Sequence, residues 1–190
     1  MSEKHKENFI TENTVYIHGK FDIDIIELLP KIKEEINKQK TFKDGKVIFS
    51  INSTGGYYYI LTSLLNLIDY AKKQGVIIET VVECMAHSCG SLLACSGSTG
   101  HRYIGEYAQH LCHFITNDYS ATTPTQIQRQ AEECLRLQNN IKNIYKKYCK
   151  ETAQNGYIDK LFNNMKDDYF YIPAKECIKY GLADKILNVD

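Results

Sequence analysis

Two near-continuous apolar runs, residues 47–51 and 76–82, constrain the fold of this chain most strongly. Such runs are typical of strands that are covered on both faces, as in parallel sheets. Each run is followed by a turn of small residues and then by apolar residues at helical spacing. This alternation of strand and helix predicts an α/β fold with a largely parallel sheet. One domain over residues 1–190 is expected, because we find no second core, repeat or linker.

The composition indicates a soluble globular protein whose partners are neither nucleic acids nor membranes. Of the 190 residues, 24% are charged and 43% are hydrophobic, and 23 basic residues balance 23 acidic ones. No apolar run approaches the length of a membrane span, and residues 1–12 are polar and predict a flexible N-terminal arm. Seven scattered cysteines without a C-x-x-C motif are expected to be reduced. We therefore expect a cytoplasmic location.

The helices follow from apolar spacing and from their end signals. Residues 24–39 predict a helix that either begins near Leu29 or kinks at Pro30, and residues 57–73 predict a second. Thr123 and Pro124 begin a helix that runs to about residue 150. Its length, near 40 Å at about 1.5 Å per residue, predicts that it protrudes from a small domain and contacts a partner subunit. Further helices are predicted at 158–165 and 173–180, and strands at 14–18, 109–115 and 182–187.

The small residues around Ser88 predict a nucleophile at a strand-to-helix turn. Ser88 follows the run 76–82 and precedes a short helix of small side chains that ends at Gly97. A serine at this place is exposed beside the free backbone N–H groups of the helix start, which can stabilise an oxyanion. The alternative is that small residues here only allow close packing.

Cysteine and histidine also pair in a way that raises the question of zinc. Cys84 and His87 with Cys112 and His113 could be drawn as a ligand set. The adjacent residues Cys112 and His113 would point to opposite faces of a strand, and the spacing is unlike that of structural zinc sites. We therefore predict no metal and no other cofactor.

Four segments in one order identify a family resemblance. They are Ile51-Asn-Ser-Thr-Gly-Gly56, Ala86-His-Ser-Cys-Gly90, Leu111-Cys-His-Phe114 and Ala174-Lys-Glu-Cys-Ile-Lys-Tyr-Gly-Leu-Ala-Asp184. Together they resemble the motifs of the Clp protease proteolytic subunit, a serine peptidase of family S14. His113 comes 25 positions after Ser88, which is the family spacing. The resemblance covers roughly residues 14–187 and implies the family's fold, shared with crotonases, of repeated β-β-α units.

The resemblance implies a role for each matching residue. Ser88 matches the nucleophile, His113 the general base, and Gly56 and Cys89 the residues whose backbone N–H groups form the oxyanion hole. Counting back from Tyr180, the family's aspartate falls one position after Asp168, so we assign Asp168 as the third member of the triad, with Asp167 second. The implied reaction is hydrolysis of peptides or unfolded proteins through an acyl-enzyme.

The resemblance also implies an assembly. Family members form two stacked heptameric rings that enclose the active sites, and residues 114–150 match the handle region that interlocks the rings. A Clp-family ATPase unfoldase is the implied partner. However, the aromatic positions of its docking pocket fall on Ile48 and Ser50, and the N-terminal arm is short.

Two other functions stay open from the sequence. The first is a catalytically inactive ring subunit with a structural or regulatory role, which the offset aspartate and the altered docking positions favour. The second is an acyl-CoA hydratase of the crotonase-like superfamily, which would not need Ser88 beside a base.

Overall fold

A computed structural model describes residues 7–116, 123–166 and 169–187 of the chain. The strands are β1 (Asn8–Thr11), β2 (Thr14–Ile17), β3 (Lys20–Phe21), β4 (Lys46–Ser53), β5 (Gly55–Gly56), β6 (Ile77–His87), β7 (Arg102–Gly105), β8 (Gln109–Cys112), β9 (Phe170–Pro173) and β10 (Lys185–Leu187). The helices are α1 (Ile23–Gln39), α2 (Tyr58–Lys73), α3 (Cys89–Cys95), α4 (Pro124–Cys149), α5 (Tyr157–Asn164) and α6 (Ala174–Lys179).

A mostly parallel sheet forms the centre of the fold, as the apolar runs predict. Its strands lie in the order β1-β2-β4-β6-β7-β10, and β8 also pairs with β6 at its carboxyl end. The pairs β2–β4, β4–β6, β6–β7, β6–β8 and β7–β10 are parallel, whereas β1–β2 and β8–β9 are antiparallel. The predicted α/β class and the fold of the resembled family are confirmed.

Helices α1 and α2 bury one apolar face each against this sheet. Ile25, Ile32 and Ile36 of α1 are fully buried, as are Ile60 and Leu64 of α2. Helix α1 contains Pro30 in its interior, so the alternative in which the helix begins near Leu29 is wrong. Pro30 is exposed, so the helix loses one backbone hydrogen bond on its solvent side and keeps its packed face.

Several elements differ from the sequence predictions. The predicted flexible arm, residues 1–12, contains strand β1, in which Phe9 stacks on Tyr16 of β2 at 4.5 Å between ring centroids. Strand β9 was not predicted, and β8 ends at Cys112 rather than at residue 115. As a result His113 lies just beyond the end of β8.

Helix α4 runs over the predicted range, and the burial of its side chains differs between its two halves. Its buried residues are Ile141, Tyr145 and Cys149, all in its second half. Residues 123–140 include exposed apolar side chains, with Ile127 56% and Leu135 60% exposed. Within the described ranges, no helix combines the length and apolarity needed to cross a membrane.

Candidate active site

Ser88 occupies a strained turn between β6 and α3. It is the residue before the first turn of α3, and its backbone angles are φ 55° and ψ −118°. Its N–H donates to the Leu111 carbonyl oxygen of β8 at 2.8 Å, which ties the turn to the neighbouring strand. A positive φ at a residue with a Cβ is costly and persists only where the surroundings hold it. The turn therefore places the Ser88 side chain above the carboxyl end of the sheet.

Two glycines allow strand β5 to lie directly against this turn. Gly55 has φ 90°, and a Cβ built there would lie 2.6 Å from the Ser88 Cβ. Gly56 has φ 148°, and a Cβ there would lie 2.5 Å from the Phe21 carbonyl oxygen. No residue other than glycine fits either place without movement of the backbone.

The backbone N–H of Gly56 lies on the edge of β5 that faces away from β3. Tyr57 N–H donates to the Phe21 carbonyl oxygen at 2.8 Å, so the neighbouring residue takes the bond to β3. The Gly56 carbonyl oxygen instead accepts from the Cys89 thiol at 3.2 Å. Because extended residues alternate between the two edges of a strand, the Gly56 N–H lies on the side of α3. Burial raises the pKa of the Cys89 thiol to about 11, so the thiol stays protonated and can donate.

His113 lines the same cavity from the opposite side. Its Nδ1 lies 2.5 Å from the Phe114 carbonyl oxygen. Since a carbonyl only accepts, the proton must be on Nδ1, which leaves the Nε2 lone pair free to act as a base. Burial lowers the pKa of His113, and the bond to Phe114 opposes this in part. The Tyr169 ring packs edge-on against the imidazole at 5.0 Å.

A cavity of about 590 Å³ joins these groups. Ser88, His113, Gly56 and Cys89 all line it. Its other walls are mainly apolar or aromatic and include Phe21, Tyr57, Tyr58, Leu92, Phe114, Ile115 and Ile141. No hydrogen bond joins Ser88 to His113, both of which are described. Catalytic hydrogen bonds often form only when substrate binds, so this geometry does not exclude the pair.

The remaining predicted residues stand apart from the cavity or outside the described ranges. Asp168 and Asp167 lie outside the described residues. His87 does not line the cavity and packs against Tyr171 at 5.9 Å, as expected from its alternation with Ala86 along β6. Burial lowers the pKa of His87.

The cysteine and histidine pairs that raised the question of zinc do not form one group. Cys84 is exposed, whereas Cys112 is fully buried against Ser91. Among the residues that the structure describes, no three His, Cys, Asp or Glu side chains are placed to hold a metal ion.

Sequence reasoning missed three contributors to this region. Tyr58 lies in the cavity wall, and Phe114 supplies the carbonyl that holds His113. Ser91 anchors a set of buried hydrogen bonds behind Ser88. Only Ser91 left a signal in the sequence, as a polar residue in an otherwise apolar helix; a backbone carbonyl leaves none.

Comparisons with known proteins show the family to which the chain is similar. The family model described as Clp protease matches residues 7–190. The ATP-dependent Clp protease proteolytic subunit of Deinococcus radiodurans is 30% identical over 138 residues, which are 73% of this chain and 63% of that protein. Proteolytic subunit 2 of Chlamydia trachomatis is 33% identical over 138 residues, with the same two coverages. Proteolytic subunit 1 of Chlamydia felis is 33% identical over 146 residues, 77% of this chain and 66% of that protein.

These matches span about 63% to 66% of the relatives' own length.

Proposed function

Because this chain belongs to the Clp protease family, we propose that it is a serine endopeptidase that hydrolyses peptides and unfolded proteins. The observation that carries the proposal is the position of Ser88. It sits on a strained strand-to-helix turn and shares one cavity with His113, Gly56 and Cys89, whose N–H groups are the proposed oxyanion donors. Nucleophile, base and oxyanion donors are the parts that acyl transfer needs.

The proposed reaction proceeds in two steps. The Ser88 Oγ attacks the carbonyl carbon of the scissile bond while its proton moves to Nε2 of His113. The negative oxygen of the tetrahedral intermediate accepts hydrogen bonds from the N–H groups of Gly56 and Cys89. His113 then gives the proton to the leaving amine as the C–N bond breaks. Water, deprotonated by the same imidazole, hydrolyses the acyl-enzyme and restores Ser88.

A carboxylate is proposed to orient the base during this cycle. Asp168 is assigned as that group, with Asp167 as the alternative. The support is that Tyr169, the next residue along the chain, packs on the His113 ring. The Nδ1–H group, which donates to the Phe114 carbonyl in the free protein, would donate to the carboxylate instead as Nε2 approaches Ser88.

The test is labelling by a fluorophosphonate together with hydrolysis of short fluorogenic peptides. Ser88→Ala should abolish both, because it removes the proposed nucleophile, the hydroxyl that attacks the phosphonate and the peptide. Ser63→Ala is the matched control, since its exposed hydroxyl bonds only to the Tyr59 carbonyl of its own helix. Labelling that persists in Ser88→Ala would contradict the proposal.

A second candidate function is a catalytically inactive ring subunit. One observation favours it: Ser88 and His113 share no hydrogen bond, and the imidazole is bonded to Phe114 instead. A wild-type chain that forms intact oligomers but is neither labelled nor hydrolytic would support this second function.

The assembly and its location are proposals of the same kind. The exposed apolar side chains of α4, Ile127 and Leu135, support a homo-oligomer in which this helix contacts a second copy. Stacked heptameric rings in the cytoplasm are the form that the family resemblance implies. A Clp-family ATPase is the partner that the family resemblance implies for unfolded substrates, and the altered docking positions at Ile48 and Ser50 predict that it docks weakly.

A further inference from the structure

Behind the nucleophile lies a buried cluster of hydrogen bonds that joins three elements. The Ser91 Oγ of α3 lies 2.9 Å from Nδ1 of His110 and 3.2 Å from the Cys112 Sγ, both on β8. The hydroxyl of Tyr145, on α4, lies 3.2 Å from the Ser91 Oγ and 3.2 Å from the Cys112 Sγ. All four side chains are buried, with exposures of 1% or less.

From this geometry we infer that Ser91 is a positioning residue, which with His110 and Tyr145 fixes the spacing between Ser88 and His113. The inference rests on the proposed peptidase function. It concerns a residue that touches no substrate and acts through the two residues that do.

The inference follows first from where the cluster sits in the chain. Ser91 lies in α3, three positions after Ser88, which directly precedes that helix. His110 and Cys112 are on the strand that ends directly before His113. The cluster is therefore a polar link between the element that carries the nucleophile and the strand that leads to the base. Tyr145, in the buried second half of α4, joins that helix to the same link.

The cluster is also neutral, so its bonds act through direction rather than through charge. Burial lowers the pKa of His110 to about 3 and raises that of Cys112 to about 12. Burial likewise raises the pKa of Tyr145. Among the described residues, Nε2 of His110 has no hydrogen-bond partner, so the favoured tautomer has Nδ1–H donating to Ser91, and an acceptor rather than a donor stays unpaired.

Apolar side chains could fill this space without the cost of burying polar groups. A hydrogen-bonded polar cluster instead selects one arrangement, because neutral hydrogen bonds depend on distance and angle. Movement of α3 along β8 by about 1 Å would take the Ser91 Oγ out of hydrogen-bonding distance of at least one of its two partners on β8, His110 and Cys112. Misplacement of reacting groups by about 1 Å can cost about 10²-fold in rate.

The experiment compares Ser91, within α3, with Ser96, which directly follows that helix. Ser91→Ala removes the centre of the cluster, whereas Ser96→Ala removes an equally buried hydroxyl that bonds only to the Leu93 carbonyl. Ser91→Ala should lower kcat and the rate of fluorophosphonate labelling at least about tenfold, with KM changed less than about twofold. Ser96→Ala should leave the labelling rate within about twofold of wild type, even if it lowers the thermal stability as much as Ser91→Ala does.

A second pair of variants, on α4, repeats the comparison with substitutions that keep the aromatic ring of the side chain. Tyr145→Phe removes the hydroxyl from the cluster, and Tyr148→Phe removes a hydroxyl that bonds to Asp69 instead. Tyr145→Phe should slow labelling, while Tyr148→Phe should not. Equal effects within either pair would overturn the inference and leave only a general loss of stability.

These outcomes separate this inference from the proposed function. If the wild-type protein is labelled and Ser91→Ala is labelled at the same rate, the inference is overturned and the proposed function stands. A wild-type protein that is never labelled overturns the proposed function. In that case crystal structures of the Ser91→Ala and Ser96→Ala variants still decide the positioning role. The inference is supported if the distance from Ser88 to His113 changes in Ser91→Ala but not in Ser96→Ala. It is overturned if that distance is unchanged in Ser91→Ala.

Discussion

At the scale of single residues, the site depends on a few close contacts around Ser88. The glycines at 55 and 56 and the thiol of Cys89 let three backbone segments meet where a larger residue would collide. Main-chain N–H groups are the proposed oxyanion donors, so cysteine at position 89 is compatible with that role. Its side chain has a separate effect, because the thiol holds the Gly56 carbonyl.

The orienting carboxylate is tested by comparing neighbours. Asp168→Asn should lower kcat by about 10²-fold, and Asp167→Asn by less than about threefold. The loss should be smaller than the roughly 10⁴-fold known for such a change in chymotrypsin-like enzymes, because the Phe114 carbonyl also favours the correct tautomer. Steady-state peptide hydrolysis measures both. If Asp167→Asn causes the greater loss, the assignment moves by one residue; if neither does, a carboxylate is not needed.

The pH dependence follows from the burial of His113. Its imidazole must be neutral to accept the Ser88 proton, and burial lowers its pKa below the ordinary value of 6.5. Values of kcat/KM should therefore be level between pH 7 and 8 and fall with acid below pH 6.5. A pH profile with a stable peptide substrate measures this. A rate that still rises steeply between pH 7 and 8 would contradict the assignment of His113 as a buried neutral base.

At the scale of elements, much of the order of strands and helices follows from the sequence. Runs such as residues 47–51 predicted β4 because they are apolar throughout, and the spacing of Ile25, Ile32 and Ile36 predicted α1. Strand β9 was missed because it is short and ends in a proline; its antiparallel pairing with β8 comes from tertiary contacts. Strand β1 was also missed, because it is only four residues long and pairs through tertiary contact with β2.

The candidate site was predicted in part for related reasons. Ser88, Gly56 and His113 follow from motif order, and the structure places all three on one cavity. The bond from His113 to Phe114 and the cluster around Ser91 could not be predicted, because they depend on side-chain rotamers and on the packing of α4. Asp168 remains a prediction.

Arg102 shows how distant elements are held together. Its guanidinium is 1% exposed, pairs with Asp184 beside β10 and donates to the carbonyl oxygens of Tyr148 and Gly181. Arg102→Leu would remove the only charged partner that the structure describes for the Asp184 carboxylate, which would keep only the backbone N–H groups of residues 100 and 102. The variant should therefore lower the free energy of unfolding by about 3–5 kcal/mol. Urea unfolding measures it.

An exposed arginine provides the control for Arg102. Arg136 pairs with Glu133 on the surface of α4. Arg136→Leu should leave the urea midpoint nearly unchanged, since exposed ion pairs contribute little. Similar losses in the two variants would show that burial does not govern the contribution of Arg102.

At the scale of the whole molecule, α4 is the element that implies an assembly. Its first half carries no buried residue, and Ile127, Ala131 and Leu135 form an exposed apolar stripe. Leu135→Glu should reduce the sedimentation coefficient to that of a smaller species without lowering the thermal stability of the protomer. Arg129→Gln, on the opposite face of the helix, makes the same change in charge and should leave assembly intact. A monomeric wild type, or equal effects of both variants, would contradict this role of α4.

The polar outer face of the sheet bears on the proposed ATPase. Ser50 bonds to Glu83 at 2.7 Å and to His18 at 2.6 Å, so one of the two positions that match the docking pocket is already occupied by hydrogen bonds. A weak or absent response of peptidase activity to a Clp ATPase is therefore expected.

The most direct test of the account is a crystal structure of the protein after reaction with a small fluorophosphonate. We predict a covalent bond from phosphorus to the Ser88 Oγ, with a phosphonyl oxygen within hydrogen-bonding distance of the Gly56 and Cys89 nitrogens and the His113 ring turned toward Ser88. An unmodified Ser88, or an adduct on another residue with His113 still bonded to Phe114, would contradict it.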